Sequence, residues 1–194
     1  MKIAITGGTK GLGKYLVERL VQDGHNVVQF SRTTGHDINS LEVRTQIIQG
    51  VQDCDVFINN AYNYKDHKNA QFNLLKEIYQ DWKLKDKILI NISSRSAFYF
   101  GKNISPAYPS IGMDPRYIYN KHIQNVYFDE IYKESDRVVV VGNLCPGRLD
   151  LGGGVDVKAA TFTESGLVYD ALLNVVNNKL STPLIEIFNP RTPN

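Results

Sequence analysis

One stretch near the N-terminus constrains the fold of this chain more than any other. The apolar run Ile3-Ala4-Ile5-Thr6 passes directly into Gly7-Gly8-Thr9-Lys10-Gly11-Leu12-Gly13, which opens an amphipathic segment. A buried strand that turns through glycine into a helix leaves the turn bare of Cβ atoms, so a pyrophosphate can approach the backbone closely. The first N–H groups of the helix then meet the phosphates with a partial positive charge. Gly7, Thr9, Lys10, Gly11, Leu12 and Gly13 are therefore candidate cofactor-binding residues. The plainer alternative is a tight strand-to-helix connection with no ligand.

The rest of the chain repeats this alternation. Ile3–Thr6, Val27–Phe30, Val56–Asn59, Ile88–Ser93, Val138–Asn143 and Leu184–Phe188 read as strands. Most lack polar alternation, as parallel strands buried on both faces do. Helical patterns lie between them over Gly11–Asp23, Ser40–Val51, Asn69–Trp82, Pro115–Lys133 and Thr163–Asn178. The expected fold is α/β: a Rossmann-like, doubly wound, mostly parallel sheet with helices on both faces, in a single domain over residues 1–194. Substrate-side loops are expected at about 100–114 and 148–161, the second holding Gly152-Gly153-Gly154. That loop is either a lid or a plain connection.

Composition excludes several classes. Hydrophobic residues make up 42% of the chain and charged ones 22%, with a net charge of +2. So even a balance argues against nucleic acid or an anionic membrane as partner. Two cysteines, Cys54 and Cys145, make no disulfide framework, which fits a reducing, cytoplasmic setting. No apolar stretch has the length of a membrane span, and Met1–Gly7 does not read as a signal peptide. His25, His36, His67 and His122 show no metal-ligand spacing.

Ser31 and Arg32 stand where the second strand ends, at the ribose of a bound dinucleotide. An acidic residue there would bind the 2′-hydroxyl of NAD; arginine matches a 2′-phosphate instead. With Lys10 as a second cation, NADP(H) is expected in preference to NAD(H).

Taken in order, these segments resemble the short-chain dehydrogenase/reductase family, as a shortened member. Its Thr-Gly-x-x-x-Gly-x-Gly motif falls on Thr6, Gly7, Gly11 and Gly13, and its Asn-Asn-Ala-Gly motif on Asn59-Asn60-Ala61-Tyr62, with tyrosine for the last glycine. Its serine region falls on Asn91-Ile92-Ser93-Ser94, and its Pro-Gly on Pro146-Gly147. Asp37-Ile38 resembles the family's adenine contact. The resemblance thus adds Asp37, Ile38, Asn60, Ala61, Pro146 and Gly147 to the cofactor-binding candidates.

The family's Tyr-x-x-x-Lys signature is met by Tyr64 with Lys68, Tyr79 with Lys83, and Tyr117 with Lys121. Only Tyr117 lies on the helix between the serine strand and the Pro-Gly strand. Positions i and i+4 share a helix face, so Lys121 projects beside Tyr117 and its ammonium favours the phenolate. Tyr117 can then give a proton to a carbonyl or take one from an alcohol. The resemblance implies that Ser94, the second of its pair, binds the same oxygen, and that Lys121 also holds the nicotinamide ribose, with Tyr117 a cofactor-binding residue beside it. It further implies a relay asparagine on the preceding helix, Asn69 or Asn73, with Asn69 favoured.

Several features depart from that family. Arg32–Asp37 is too short for the usual helix and third strand, which becomes a stub or is absent. The separation of Ser94 and Tyr117 is wide, closer to the sugar-nucleotide-modifying branch. Phe98, Tyr99 and Phe100, with Tyr62 and Tyr64, line a substrate pocket or pack as core. The expected activity is NADP(H)-dependent interconversion of a carbonyl and an alcohol on a small-molecule substrate. The alternatives are a nucleotide-sugar reductase or epimerase, and a non-catalytic NADP(H) sensor. A homodimer or homotetramer is expected from the resemblance of the Asn69–Trp82 and Pro115–Lys133 helices to the family's oligomer-forming pair.

Overall fold

The computed structural model describes residues 1–62, 69–102, 114–147, 149 and 163–187. Along them run β1 (Lys2–Thr6), α1 (Gly11–Gln22), β2 (Asn26–Phe30), α2 (Leu41–Gly50), β3 (Val56–Asn59), α3 (Ala70–Trp82), β4 (Ile88–Ile92), α4 (Pro115–Lys133), β5 (Val140–Pro146), α5 (Ser165–Asn178) and β6 (Thr182–Ile187). The described strands form one parallel sheet in the order β2-β1-β3-β4-β5-β6. The expected doubly wound α/β architecture is present, and every described pairing is parallel.

Two cores explain why the strands lack polar alternation. Ile3 and Ile5 of β1, Ile58 of β3 and Ile90 of β4 pack on one face with Leu12, Leu16 and Leu20 of α1 and Leu172 of α5. Ala4, Phe57 and Leu89, their neighbours along the strands, face Ile47 of α2, Leu74 and Ile78 of α3, and Phe128 of α4. Successive strand residues point to opposite faces, so helices on both sides demand apolar residues at nearly every position.

Local signals set the helix starts. Ser40 Oγ accepts from Val43 N at 3.4 Å and caps α2. Asp114 Oδ1 accepts from Arg116 N at 2.9 Å ahead of Pro115, whose fixed φ suits a first helical position. After β2 the chain makes only a short 3₁₀ turn over Arg32–Thr34 before α2, so no third strand forms there and β2 is the sheet's edge. The fifth strand begins two residues later than its apolar run suggests and continues through Pro146, because Leu144, Cys145 and Pro146 pair with β6. Most of the loops expected at about 100–114 and 148–161 lies outside the described residues. Among the described residues, no helix is long and apolar enough to cross a membrane.

From β1 the chain steps one way to β2 and then the other way to β3. That reversal opens a crevice beyond the carboxyl ends of β1 and β3, where open α/β sheets bind their ligands.

Candidate functional site

The crevice is walled by the glycine turn on one side and Asn60-Ala61 on the other. Gly7 has a φ of +72° and its N–H donates to Phe30 O at 2.8 Å, tying the turn to β2. Thr6 Oγ1 accepts from both Asn60 N and Ala61 N at 3.0 Å, and Asn60 Nδ2 donates to Thr6 O at 3.0 Å. A Cβ on Gly13 would stand 2.1 Å from Gly7 O and 2.6 Å from Asn60 Nδ2. Helix α1 starts after Lys10, whose side chain makes no capping bond, and its first turn carries no acidic residue. Its leading N–H groups therefore face the crevice uncapped, an arrangement that suits a pyrophosphate. Gly13→Ala is expected to destabilise the fold by on the order of 3 kcal/mol through this backbone collision. Thermal unfolding of the variant checks it, and a melting temperature equal to that of the parent would contradict it.

At the far end of the crevice, buried Ser31 shares hydrogen bonds with Thr33 Oγ1 at 2.8 Å and Thr34 Oγ1 at 3.4 Å. Thr33 Oγ1 donates in turn to Thr9 Oγ1 in the glycine turn, at 3.3 Å. A chain of hydroxyls thus joins the two segments that carry Lys10 and Arg32, both exposed. Behind it Asp37 Oδ1 accepts from Asn39 N at 3.1 Å. Ile38 is buried, and its carbonyl accepts from Arg44 Nη1 at 3.0 Å. Arg44, itself held by both oxygens of Glu77, fixes the Asp37–Ile38 segment.

The opposite end holds Ser94, Tyr117 and Lys121. Ser94 follows β4; its Oγ accepts from Ser96 N at 3.2 Å and Ser96 Oγ at 3.0 Å, so its own proton is left to donate elsewhere. Ser93 turns the other way, its hydroxyl donating to Asn125 Oδ1 at 2.7 Å. Tyr117 lies half-buried in the first turn of α4, and its ring meets that of Tyr62 edge-on, centroids 4.8 Å apart. Lys121, one turn further, is 2% exposed. Its Nζ donates to Gln71 Oε1 at 2.7 Å and Ile92 O at 2.8 Å, and stands 5.3 Å from the Tyr62 ring and 5.6 Å from the Tyr117 ring. Burial lowers the Lys121 pKa to about 7, against a weaker opposing pull from Cys145. An ammonium between two phenol rings stabilises negative charge on either.

Pro146 and Gly147 close the crevice from β5. Gly147 N donates to Ile187 O at 2.8 Å, and a Cβ there would meet Thr163 Oγ1 at 2.6 Å. The other Tyr-x-x-x-Lys matches are placed differently. Tyr79 is buried and donates to Glu134 Oε2 at 3.0 Å, while Lys83 pairs with Glu134 and Asp136. Tyr64 and Lys68 lie outside the described residues. Asn69 precedes α3 with a left-handed φ of +54°. The side chain from that region that reaches Lys121 is Gln71, not Asn69. Sequence reasoning passed over Gln71, though a glutamine on the same helix face as Leu74, Leu75 and Ile78 is a visible irregularity. Tyr62, read as a pocket or core aromatic, is brought against Tyr117 and Lys121.

No family model matches the sequence. A sterol-4-alpha-carboxylate 3-dehydrogenase (decarboxylating) of Dictyostelium discoideum is 24% identical over 106 residues, 49% of this chain. The match covers 31% of that curated relative, about a third of its length. A short chain dehydrogenase from Burkholderia cenocepacia, solved in complex with NADP, is 18% identical with a TM-score of 0.70, covering 96% of this chain and 87% of the other. A GDP-L-fucose synthetase from Naegleria fowleri is 15% identical with a TM-score of 0.72, covering 97% and 76%. Such agreement over nearly the whole chain, with Gly7, Gly11 and Gly13 after β1 and Ser94, Tyr117 and Lys121 beyond β4, leads to one conclusion about architecture: this chain has the fold of the short-chain dehydrogenases.

Proposed function

We propose that this chain is an NADP(H)-dependent oxidoreductase of the short-chain dehydrogenase/reductase type that interconverts a carbonyl and an alcohol. The observation that carries the reading is the buried Lys121 ammonium set beside the Tyr117 ring, at the end of a crevice whose glycine turn suits a pyrophosphate. The glycine turn with the N-terminus of α1 would hold the pyrophosphate. Asn60, Ala61, Pro146 and Gly147 would line the nicotinamide half, with Asp37 and Ile38 at the adenine. The bound cofactor supplies or accepts the hydride. Tyr117 transfers the proton to or from the substrate oxygen, and Ser94 donates its hydroxyl to the same oxygen. Lys121 sets its ammonium beside the Tyr117 ring, where it favours negative charge on the phenol oxygen, and would bind the nicotinamide ribose. The test is NADPH consumption by the purified protein across aldehydes, ketones and keto-sugars; tight NADPH binding with no substrate consumed would favour a sensor.

The preference for NADP(H) rests on Arg32 and Lys10 flanking the Ser31–Thr33–Thr9 hydroxyls, a site with two cations and several donors for a phosphate. Arg32→Ala is expected to weaken NADPH binding on the order of 10- to 100-fold and to leave NADH binding unchanged. Fluorescence titration with both nucleotides measures this, and an equal loss for the two would remove the 2′-phosphate assignment. Modification of a nucleotide-linked sugar is the second reading. It is favoured by the wide separation of Ser94 and Tyr117 and by the likeness to the GDP-L-fucose synthetase.

A further inference from the structure

Between the sheet and helices α3 and α4 lies a run of buried carboxamides that the proposed chemistry leaves unused. Asn59, Asn91 and Asn143 occupy matched positions on β3, β4 and β5, each without solvent exposure. Asn59 Nδ2 donates to Asn91 Oδ1, and Asn91 Nδ2 to Asn143 Oδ1, both at 3.0 Å. Asn91 Nδ2 also reaches Gln124 Oε1 at 3.1 Å, and Gln124 Nε2 donates back to Gln71 Oε1 at 3.3 Å.

Gln71 stands where this run meets the reacting end. Its Nε2 donates to two backbone carbonyls, Asn59 O at 2.9 Å and Ile92 O at 3.1 Å. Its own backbone carbonyl accepts from Asn59 Nδ2 at 3.0 Å. Those bonds fix which way the carboxamide faces. A flipped amide would set oxygen against two carbonyl oxygens and an NH₂ against an ammonium, so Oε1 has to point at Lys121 Nζ.

We propose that Gln71 is a positioning residue: it holds the Lys121 ammonium beside Tyr117 and is itself held in one orientation by β3, β4 and Gln124. The inference rests on the oxidoreductase reading for its catalytic meaning, whereas the contact stands on geometry alone. The groups facing Lys121 Nζ are Gln71 from α3, the Ile92 carbonyl from β4, the Cys145 thiol from β5, Tyr62 from the β3–α3 connection and Tyr117 from its own helix. Among the described residues no carboxylate is bonded to the ammonium, so Gln71 is its chief side-chain acceptor.

The experiment follows the titration of Lys121 in the intact protein by NMR of lysine labelled with ¹³C at the ε carbon. The resonance is assigned by its loss in Lys121→Met. Gln71→Glu sets a carboxylate against the ammonium and is expected to raise the midpoint by about one pH unit or more. Gln71→Met removes the acceptor and is expected to lower it by about half a unit, with the pH profile of NADPH-linked turnover moving in step. Midpoints unchanged in both folded variants would overturn the proposal. Should neither variant fold, the parent protein decides: an NOE between the Gln71 amide protons and the Lys121 ε-methylene supports it, and its absence refutes it. Shifted midpoints in a protein that consumes no carbonyl would keep the coupling and discard the oxidoreductase reading instead.

Discussion

Tyr117→Phe is expected to lower carbonyl turnover by about 10²- to 10⁴-fold while NADPH binding and stability stay near those of the parent. The substitution removes one hydroxyl and keeps the ring, so the edge-on contact with Tyr62 at 4.8 Å and the packing beside Lys121 at 5.6 Å persist. What is lost is the proton that a developing alkoxide must receive. Without it, water or the Ser94 hydroxyl has to supply the proton, and an aliphatic hydroxyl is a far weaker acid than a phenol. Steady-state turnover together with nucleotide titration separates the two effects. A variant that keeps more than a tenth of the parent's turnover would remove Tyr117 from the role of acid.

Replacing Lys121 by methionine has the second largest expected effect, and activity and stability move in opposite directions. Turnover falls by a factor comparable to that of Tyr117→Phe, since no cation then favours the phenolate. Stability rises at pH 6. The folded-state pKa of Lys121 is lowered from 10.5 to about 7, so below pH 7 the folded and unfolded chains are both charged and the folded one carries the whole cost of burying the ammonium. Between about 7 and 10.5 the unfolded chain binds the extra proton, and stability climbs with pH by up to about 1.4 kcal/mol per unit. Above that window both states are neutral. Lys121→Met removes the penalty and is expected to add about 1–4 kcal/mol at pH 6. The gain shrinks towards pH 9, and urea unfolding at the two pH values measures it. Lower stability of the variant at pH 6 would show that the bonds to Gln71 and Ile92 outweigh desolvation. In the parent protein, carbonyl reduction is expected to decline as pH rises through 7 and the ammonium is lost.

Much of this arrangement is legible in the sequence, for identifiable reasons. Runs such as Ile3–Thr6 and Val56–Asn59 are short, apolar and bounded, and a two-sided parallel sheet is what makes such runs continuous. The turn from Thr6 to Gly13 is local, so its chemistry can be read from adjacent letters. The pairing of Tyr117 with Lys121 is local too, because one helical turn joins them. What escaped is non-local. Gln71 reaches Lys121 only because α3 and α4 lie side by side over β4, a contact that no spacing along the chain encodes. Asn69 lies just ahead of α3 in a left-handed backbone, and Gln71, two residues on, carries the side chain bonded to Lys121. Tyr62 stands where the family's motif has a glycine, and its partnership with Lys121 depends on the path of the chain after β3.

The asparagines on β3, β4 and β5 have a consequence for assembly of the sheet. A slip of one residue between neighbouring strands sends every side chain to the wrong face, and apolar patterning resists it. A slip of two preserves the facing, and aliphatic side chains such as Ile58 and Ile90 are nearly interchangeable under it. The carboxamides are not. Moved by two positions, Asn91 would lie opposite Phe57 instead of Asn59, and each stranded amide would cost about 1–3 kcal/mol. The three central strands thus carry a tooth-and-notch key that lets an otherwise greasy and repetitive sheet lock at a single offset. That same offset brings the strand ends level where the crevice opens.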